Sequence, residues 1–437
     1  MTTDALPLPP GSGGMPLLGE TLPMLKDGYA FVRERVERHG PVFRTNVLFK
    51  KTAVLVGPDA LGAFLDPANV TRVGGLPPHI ADLFGKGAIN QIDGPVHTAR
   101  KTIILAALDR AALESYTADV VAITRDHLTR WRARGEERVA DAGKRLAIAL
   151  VGKNIFDLAE GPDLDALYDD VQLIGGGFSG LPVNLPGTAF NKALKAKKRL
   201  FARYAAIVAD HRARPREDGL SRMLAAEVDG TRLDDEAVVR ELHHLLLAGY
   251  IVWGMFIAGL LRLGAEPALA DALRAEVGAL PEAPDARALL HLPGLAAFAQ
   301  EVKRTTPMIP IFFGVAARDF EVAGHRVPAG WRVLWAIHAS NNSGVSAFSD
   351  PSRFDPARFG EARREDARHP HALSPQGSGP PTGHRCAGVE YSTLLLHAFF
   401  AELLRVGRFT VPEQDLRTNA ATIPPEYPGG VRVRFEG

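Results

Sequence analysis

Cys386 is the only cysteine in the chain, and its neighbours are of the kind that make a thiol react. Gly383, His384 and Arg385 precede it. Leu394, Leu395, Phe399 and Leu403 follow at helical spacing. The thiol is therefore expected at or near a helix N-terminus. There the free backbone N–H groups, the positive end of the helix dipole and two adjacent cations stabilise a thiolate. A thiolate so placed serves as a nucleophile or as a metal ligand; a buried structural cysteine is the plainer alternative. A second pair with chemical meaning is Glu301 and Arg304, three apart on one predicted helix face. Alone, such a pair reads as a solvated surface contact.

The elements that must position these groups follow from pattern and composition. Apolar residues are 46% of the 437 and charged residues 23%, the balance of a globular protein of enzyme size. A formal net charge of +1 offers no basic face to nucleic acid or to an anionic membrane. One cysteine cannot close an internal disulfide, so stability should rest on a packed core in a reducing compartment. The opening MTTDALPLPPGSGGMPLLGE has neither a basic n-region nor an apolar run of spanning length. A cytoplasmic protein without a membrane anchor is expected. The run Leu245–Leu261 is short and interrupted by glycine, and it reads as a buried core helix.

Residues 7–19 should form an extended arm, and Pro41–Gly57 alternates as a hairpin. From Asp59 to about Gln300 the spacing is mostly helical, with breaks near Gly74, Gly94, Gly161 and Pro182–Gly187. Residues 310–338 and 407–435 return to a strand-like pattern. No repeat, low-complexity linker or forced domain boundary interrupts residues 1–437. The expected class is mainly α with minor β.

The order Glu301-x-x-Arg304, β segment, Arg358-Phe359, Gly-rich cysteine loop and helix resembles the cytochrome P-450 family of haem-thiolate enzymes, over almost the whole chain. PPGSGGMPLLGE, DGPVHTARK and LPVNLPGTAFNKALKAKKRL look like its retinoid, sterol and carotenoid-type branch. SPQGSGPPTGHRCAG looks more like its fatty-acid peroxygenase branch. The resemblance implies one large domain with haem b (iron protoporphyrin IX) between a long central helix and the Cys-loop helix. It implies that Cys386 is the iron ligand and that Glu301, Arg304 and Arg358 form one buried network. His384 and His97 would bind the haem propionates, together with Lys101, which replaces the family's arginine; Arg100 is an alternative. Haem propionates are carboxylates and need cationic donors from separated segments. Gly379 stands where the family has a phenylalanine seven residues before the cysteine, so the cover over the sulfur is expected to differ.

The central helix, His243–Leu261, departs further. Ala248-Gly249 fits the family, but the acid and threonine that manage protons there are Ile251 and Val252. No serine or threonine occurs between Leu233 and Arg304. The peroxygenase branch uses an arginine that holds a substrate carboxylate, and no arginine lies between Arg240 and Arg262. Two readings stay open. One is an O2-dependent monooxygenase protonated through water or its substrate. The other is an enzyme that uses peroxide or a substrate with a pre-activated N–O or O–O bond. His244, on the face of Ala248 and Ile251, is a candidate distal acid or base. Tyr250 should face away. A non-catalytic haem sensor or carrier, and a cysteine-nucleophile enzyme without haem, are the other classes.

The substrate pocket is expected from Phe84, Ile89, Gln91, Ala248, Ile309 and Phe312, with Phe178–Pro186 as a lid. That lining suits a medium-to-large hydrophobic small molecule. The resemblance further implies bacterial specialised metabolism, a ferredoxin-type redox partner for a monomer, and no role for nucleic acid.

Overall fold

The computed structural model of the chain describes residues 6–16, 18–47 and 49–436. Leu17 of the expected arm, Leu48 at the hairpin tip and the first five residues lie outside them. The strands in chain order are β1 (Val42–Val47), β2 (Lys50–Leu55), β3 (Val70–Thr71), β4 (Glu136–Arg138), β5 (Ile311–Ala316), β6 (Phe320–Val322), β7 (His325–Val327), β8 (Arg332–Ala336), β9 (Phe409–Thr410) and β10 (Arg432–Phe435). The helices that bear on function are α1 (Gly28–His39), α2 (Pro58–Leu65), α3 (Gly94–Leu105), α4 (Arg110–Ala133), α5 (Val139–Phe156), α6 (Pro162–Ser179), α7 (Ala189–Ala213), α8 (Asp235–Tyr250), α9 (Trp253–Ala265), α10 (Pro293–Thr305) and α11 (Val389–Val406). The expected class, mainly α with minor β, is what forms.

The chain condenses into two compact units, residues 1–98 with 303–386 and residues 99–302 with 387–437. The first unit is built on a five-stranded sheet of order β1-β2-β8-β5-β3. Period-two alternation splits its residues between two cores. Val42, Ala53, Leu55, Val333 and Trp335 face α2 with Leu61 and Phe64. Phe43, Val54, Leu334 and Ala336 face α1 with Phe31, Val32 and Val36. Both faces are covered, so β8 is buried at every position. The β1–β2 hairpin forms in the expected place, pairing Val42 with Leu55 through to Val47 with Lys50. Gly11 of the arm bridges to Arg44 of β1.

The second unit is helical. In α11 every residue from Leu394 to Leu404 is buried, as its apolar run requires. Phe399 of α11 stacks on Phe256 of α9, with ring centroids 4.4 Å apart. The C-terminal segment carries less strand than its pattern suggests. Strands form at Phe409–Thr410 and Arg432–Phe435, with β10 pairing both β9 and β4, and Asn419 and Glu426 make an isolated bridge. The 411–431 stretch between them is rich in Pro and Gly, which favour turns.

Candidate active site

The thiol lies in the loop before α11, three residues ahead of its first helical residue. The Cys386 N–H donates to the Gln376 carbonyl at 2.9 Å. The Gln376 side-chain amide in turn donates to Cys386 Sγ at 3.8 Å. Gly379 takes a left-handed φ of +91°, and Pro380-Pro381, exposed, are carried out into solvent beside it. The residue that reaches the sulfur is thus Gln376, not one at the position of Gly379. An N–H donor on a thiolate withdraws electron density from it and tunes its ligand strength. Sequence spacing hides this, because the extra loop residues shift the count back from the cysteine.

Next to the thiol in sequence, the His384 ring stacks on His97 with centroids 4.0 Å apart and planes at 35°. His384 Nε2 meets Asp93 Oδ1 at 2.7 Å. Asp93 Oδ2 also accepts from Thr71 Oγ1 at 2.5 Å and from the Arg72 N–H at 2.7 Å. Burial opposes the charge on Asp93, but these donors, His384 foremost, hold its carboxyl well below the usual carboxylate range. A thiol with an N–H to its sulfur, beside two imidazoles in tilted contact, is a donor set that fits a thiolate-ligated group bearing carboxylates. Lys101, one turn beyond His97 on α3, is buried. Arg100 is committed elsewhere, with Nη1 3.0 Å from the fully buried Glu241 carboxylate.

Arg304 and Arg358 are both fully buried. Arg304 donates to the carbonyls of Asn341 at 2.7 Å, Pro351 at 2.9 Å and Arg353 at 3.1 Å. Arg358 donates to the Arg353 carbonyl at 3.0 Å, to the Ser349 carbonyl at 2.9 Å and to Glu365 at 2.9 Å. Their shared acceptor joins them in one network. Glu301, one turn before Arg304, is fully buried as well. Sequence reading missed Glu365, because EARREDARHP looks like a solvated charged loop.

Burial opposes the charge on Glu365, but hydrogen bonds from Arg363 and Ser349 outweigh it and hold the carboxyl at about 2. Its contribution is therefore present above its ordinary pKa of 4.5 and lost as pH falls from there toward 2. Glu365→Ala leaves Arg358 buried and uncompensated and should cost about 3–5 kcal/mol. Urea unfolding across pH checks both points. Glu365→Gln should also flatten the acid limb, and unchanged stability would mean the pair is dispensable.

In the second unit the central helix is not continuous. α8 is capped by Asp234, whose side chain accepts from the Ala237 N–H, and it ends at Tyr250. α9 starts at Trp253. Between them the Val252 N–H turns to the Gly249 carbonyl at 3.3 Å, which releases the Ala248 carbonyl from the ladder. Gly254 and Met255 continue the tight turn, bonding to Ile251 at 3.2 Å and Val252 at 2.9 Å. A Cβ on Gly249 would stand 2.7 Å from Val151 Cγ2, so α5 can approach only a glycine there. Of the helical stretch Asp235–Ala265, the most apolar 18 residues are 61% buried, the pattern of a core helix.

One face of this helix is less covered. Ala248 is exposed, and His244, Leu245 and Ile251 are half-buried, whereas Val252 is buried. His244 Nδ1 lies 3.9 Å from Glu241. Burial, then Lys101 and His243, push its imidazole down to about 4. His244 is therefore neutral at pH 7 and is not available there as an imidazolium acid. His243 points the other way, toward the Tyr204 hydroxyl at 3.5 Å. Tyr250 is buried and donates to Gln172 at 2.7 Å.

Three of the expected pocket residues make structural contacts of their own. Gln91 braces its own loop, donating to the Gly85 carbonyl at 2.9 Å and accepting from the Gly87 N–H at 3.3 Å. Phe312 stacks on Trp335, with centroids 5.8 Å apart, and packs with Ile309 against the sheet core. Ile89 is buried and Phe84 half-buried. A cleft of about 490 Å³ in the second unit, lined by His127, Arg130, Arg145, Glu160 and Tyr168 among others, holds none of the candidate residues.

Comparison with known proteins completes the description. The profile of the family described as Cytochrome P-450 matches residues 9–425. Cytochrome P-450 85A1 of Brachypodium distachyon is 28% identical over 442 residues, covering 98% of this chain and 92% of its own. The retinoic acid-bound cyanobacterial CYP120A1 structure superposes with a TM-score of 0.89 at 26% identity, over 99% of both chains. A variant of cytochrome P-450 OleT in complex with arachidonic acid gives a TM-score of 0.80 at 23% identity, over 98% and 97%, a likeness of fold.

Proposed function

Since the chain belongs to the cytochrome P-450 family of oxidoreductases, we propose that it is a haem-thiolate enzyme with atypical distal chemistry, acting as one domain over residues 1–437. Cys386 would hold haem b from one side, with His97, His384 and Lys101 on its propionates. When bound, a thiolate-ligated haem supplies an oxidising centre whose electron-rich sulfur favours O–O cleavage. Gln376 moderates that sulfur through its N–H. Glu301, Arg304, Arg358 and Glu365 fix the loops on which the thiol stands.

The observation that carries the reading is the tight turn at Ile251-Val252. It keeps the bend of the central helix where neither side chain can hold or pass a proton. A reaction that starts from peroxide, or from a substrate with an activated N–O or O–O bond, does not need that proton. The second reading, an O2-dependent monooxygenase, draws support from the released Ala248 carbonyl, which can hold a water in place of the missing hydroxyl.

The substrate would be a medium-to-large hydrophobic molecule. Support comes from the apolar, less covered Ala248 and Ile251 of the central helix, and from the retinoic acid in the similar cyanobacterial structure. A cytoplasmic monomer of bacterial specialised metabolism, with a ferredoxin-type partner if the second reading holds, fits the same reading. Titrating retinoids, terpenoids and long-chain acids into the ferric protein should give saturable spin-state changes. A panel of such ligands that leaves the spectrum unmoved would overturn the substrate class.

A further inference from the structure

Arg72, directly after β3, is only 8% exposed. Its guanidinium carbon lies 4.0 Å from the centre of the Phe64 ring. Nη1 is buried with no hydrogen-bond acceptor, and among the described residues none accepts from the rest of the guanidinium. The strand pairing leaves room for it, because a Cβ on Gly314 would come within 3.0 Å of Nη1 and 2.4 Å of Val70 Cγ1. Its nearest carboxylate is already filled. Asp93 accepts from the Arg72 backbone N–H, from Thr71 and from His384. Burial drives the Arg72 guanidinium down to about 10, and Asp93 only partly restores it. An arginine buried without an acceptor costs free energy that another anion must offset.

We propose that Arg72 is a carboxylate-binding residue of this protein, presenting its free guanidinium edge to a ligand carboxylate beside the Asp93–His384–His97 cluster. The planar fork matches a carboxylate in two parallel hydrogen bonds, which a lysine cannot reproduce. That carboxylate has two possible sources, a haem propionate or the acid group of a substrate. In the first case Arg72 joins His97, His384 and Lys101 as a fourth cationic arm. In the second it is a carboxylate-holding arginine of the first unit, of a kind the sequence of the central helix does not supply. The first source rests on the haem-thiolate reading and the second does not.

The test compares wild type with Arg72→Met, of similar length and neutral, and Arg72→Lys, which keeps the charge and loses the fork. One arm follows haem loss from the ferric protein to excess apomyoglobin. The other compares retinoic acid with retinol, read by quenching of tryptophan fluorescence. A charge-assisted hydrogen bond contributes about 1.5–3 kcal/mol, or about 10- to 100-fold. Haem loss faster by that factor, with unchanged ligand affinity, assigns the propionate. Retinoic acid weakened by that factor, with retinol and haem loss unchanged, assigns the substrate. Arg72→Lys should show a smaller change of the same kind, and it gives the answer if Arg72→Met does not fold. Haem loss and retinoic acid affinity both unchanged in the folded variants overturn the proposal. A wild type that takes up no haem would instead overturn the haem-thiolate reading, leaving the retinoid arm to test Arg72.

Discussion

Cys386→Ala should abolish the thiolate-type absorption of the reduced, CO-treated protein completely. The chain has no other thiol, so no second cysteine can substitute. The sulfur is held for a ligand's role rather than a packing role. The Cys386 N–H is tied back to the Gln376 carbonyl at 2.9 Å, and the same glutamine's side chain is aimed at Sγ. Both contacts fix the sulfur without covering it, and Cys386 remains half-buried. Structural cysteines are instead enclosed by apolar neighbours. Haem retained with an unchanged spectrum in Cys386→Ala would remove the thiol from the site altogether. Gln376→Leu gives a graded control. Loss of the N–H should leave the thiolate spectrum in place, make the sulfur the stronger donor and move the midpoint potential to more negative values. A midpoint that does not move would mean the 3.8 Å contact has no electronic weight.

The scaffold was largely legible in the sequence and the finer chemistry was not. Helical and alternating periodicities located the hairpin, the central helix and α11, because their burial is set by which face is apolar. The Glu301-x-x-Arg304 pair and the cysteine loop could be found because their residue types and spacing serve one purpose. Glu365 could not, because its neighbours Arg363 and Arg368 make the segment read as solvated charge, and only the fold buries its carboxylate against Arg358. Gln376 was hidden by loop length and Arg72 by its position just past a two-residue strand. Gln91 read as a pocket amide, because composition does not reveal that backbone groups of its own loop claim it. The turn at Ile251-Val252 is a backbone event. Its residues read as ordinary helix interior, and the bend comes from a tightened hydrogen-bond pattern that no side chain announces.

Turnover of the true substrate should proceed with peroxide, or with a pre-activated substrate, under anaerobic and reductant-free conditions. In air with a reductase it should be slow and leak peroxide. A positioned general acid typically contributes about 10²–10⁴-fold, and each candidate for that role near the turn fails. Ile251 and Val252 have no proton to move, and Tyr250 is turned to Gln172. His244 is neutral at pH 7, because burial, Lys101 and His243 all disfavour its charge. The rate should therefore show no titration from His244 between about pH 5 and 8, the range in which an unperturbed histidine changes charge. Val252→Thr restores a hydroxyl at nearly constant shape. Position 252 is buried, and the Ala248 carbonyl, four residues back and out of the ladder, is the acceptor a threonine there would use. The variant should fold, improve coupling in the O2-driven assay and leave the peroxide-driven rate unimproved. Fast, tightly coupled turnover by wild type in air with a reductase, and none without, would make this wrong. The proton would then come from a water on the Ala248 carbonyl or from the substrate itself, and Val252→Thr should leave that already coupled reaction unchanged.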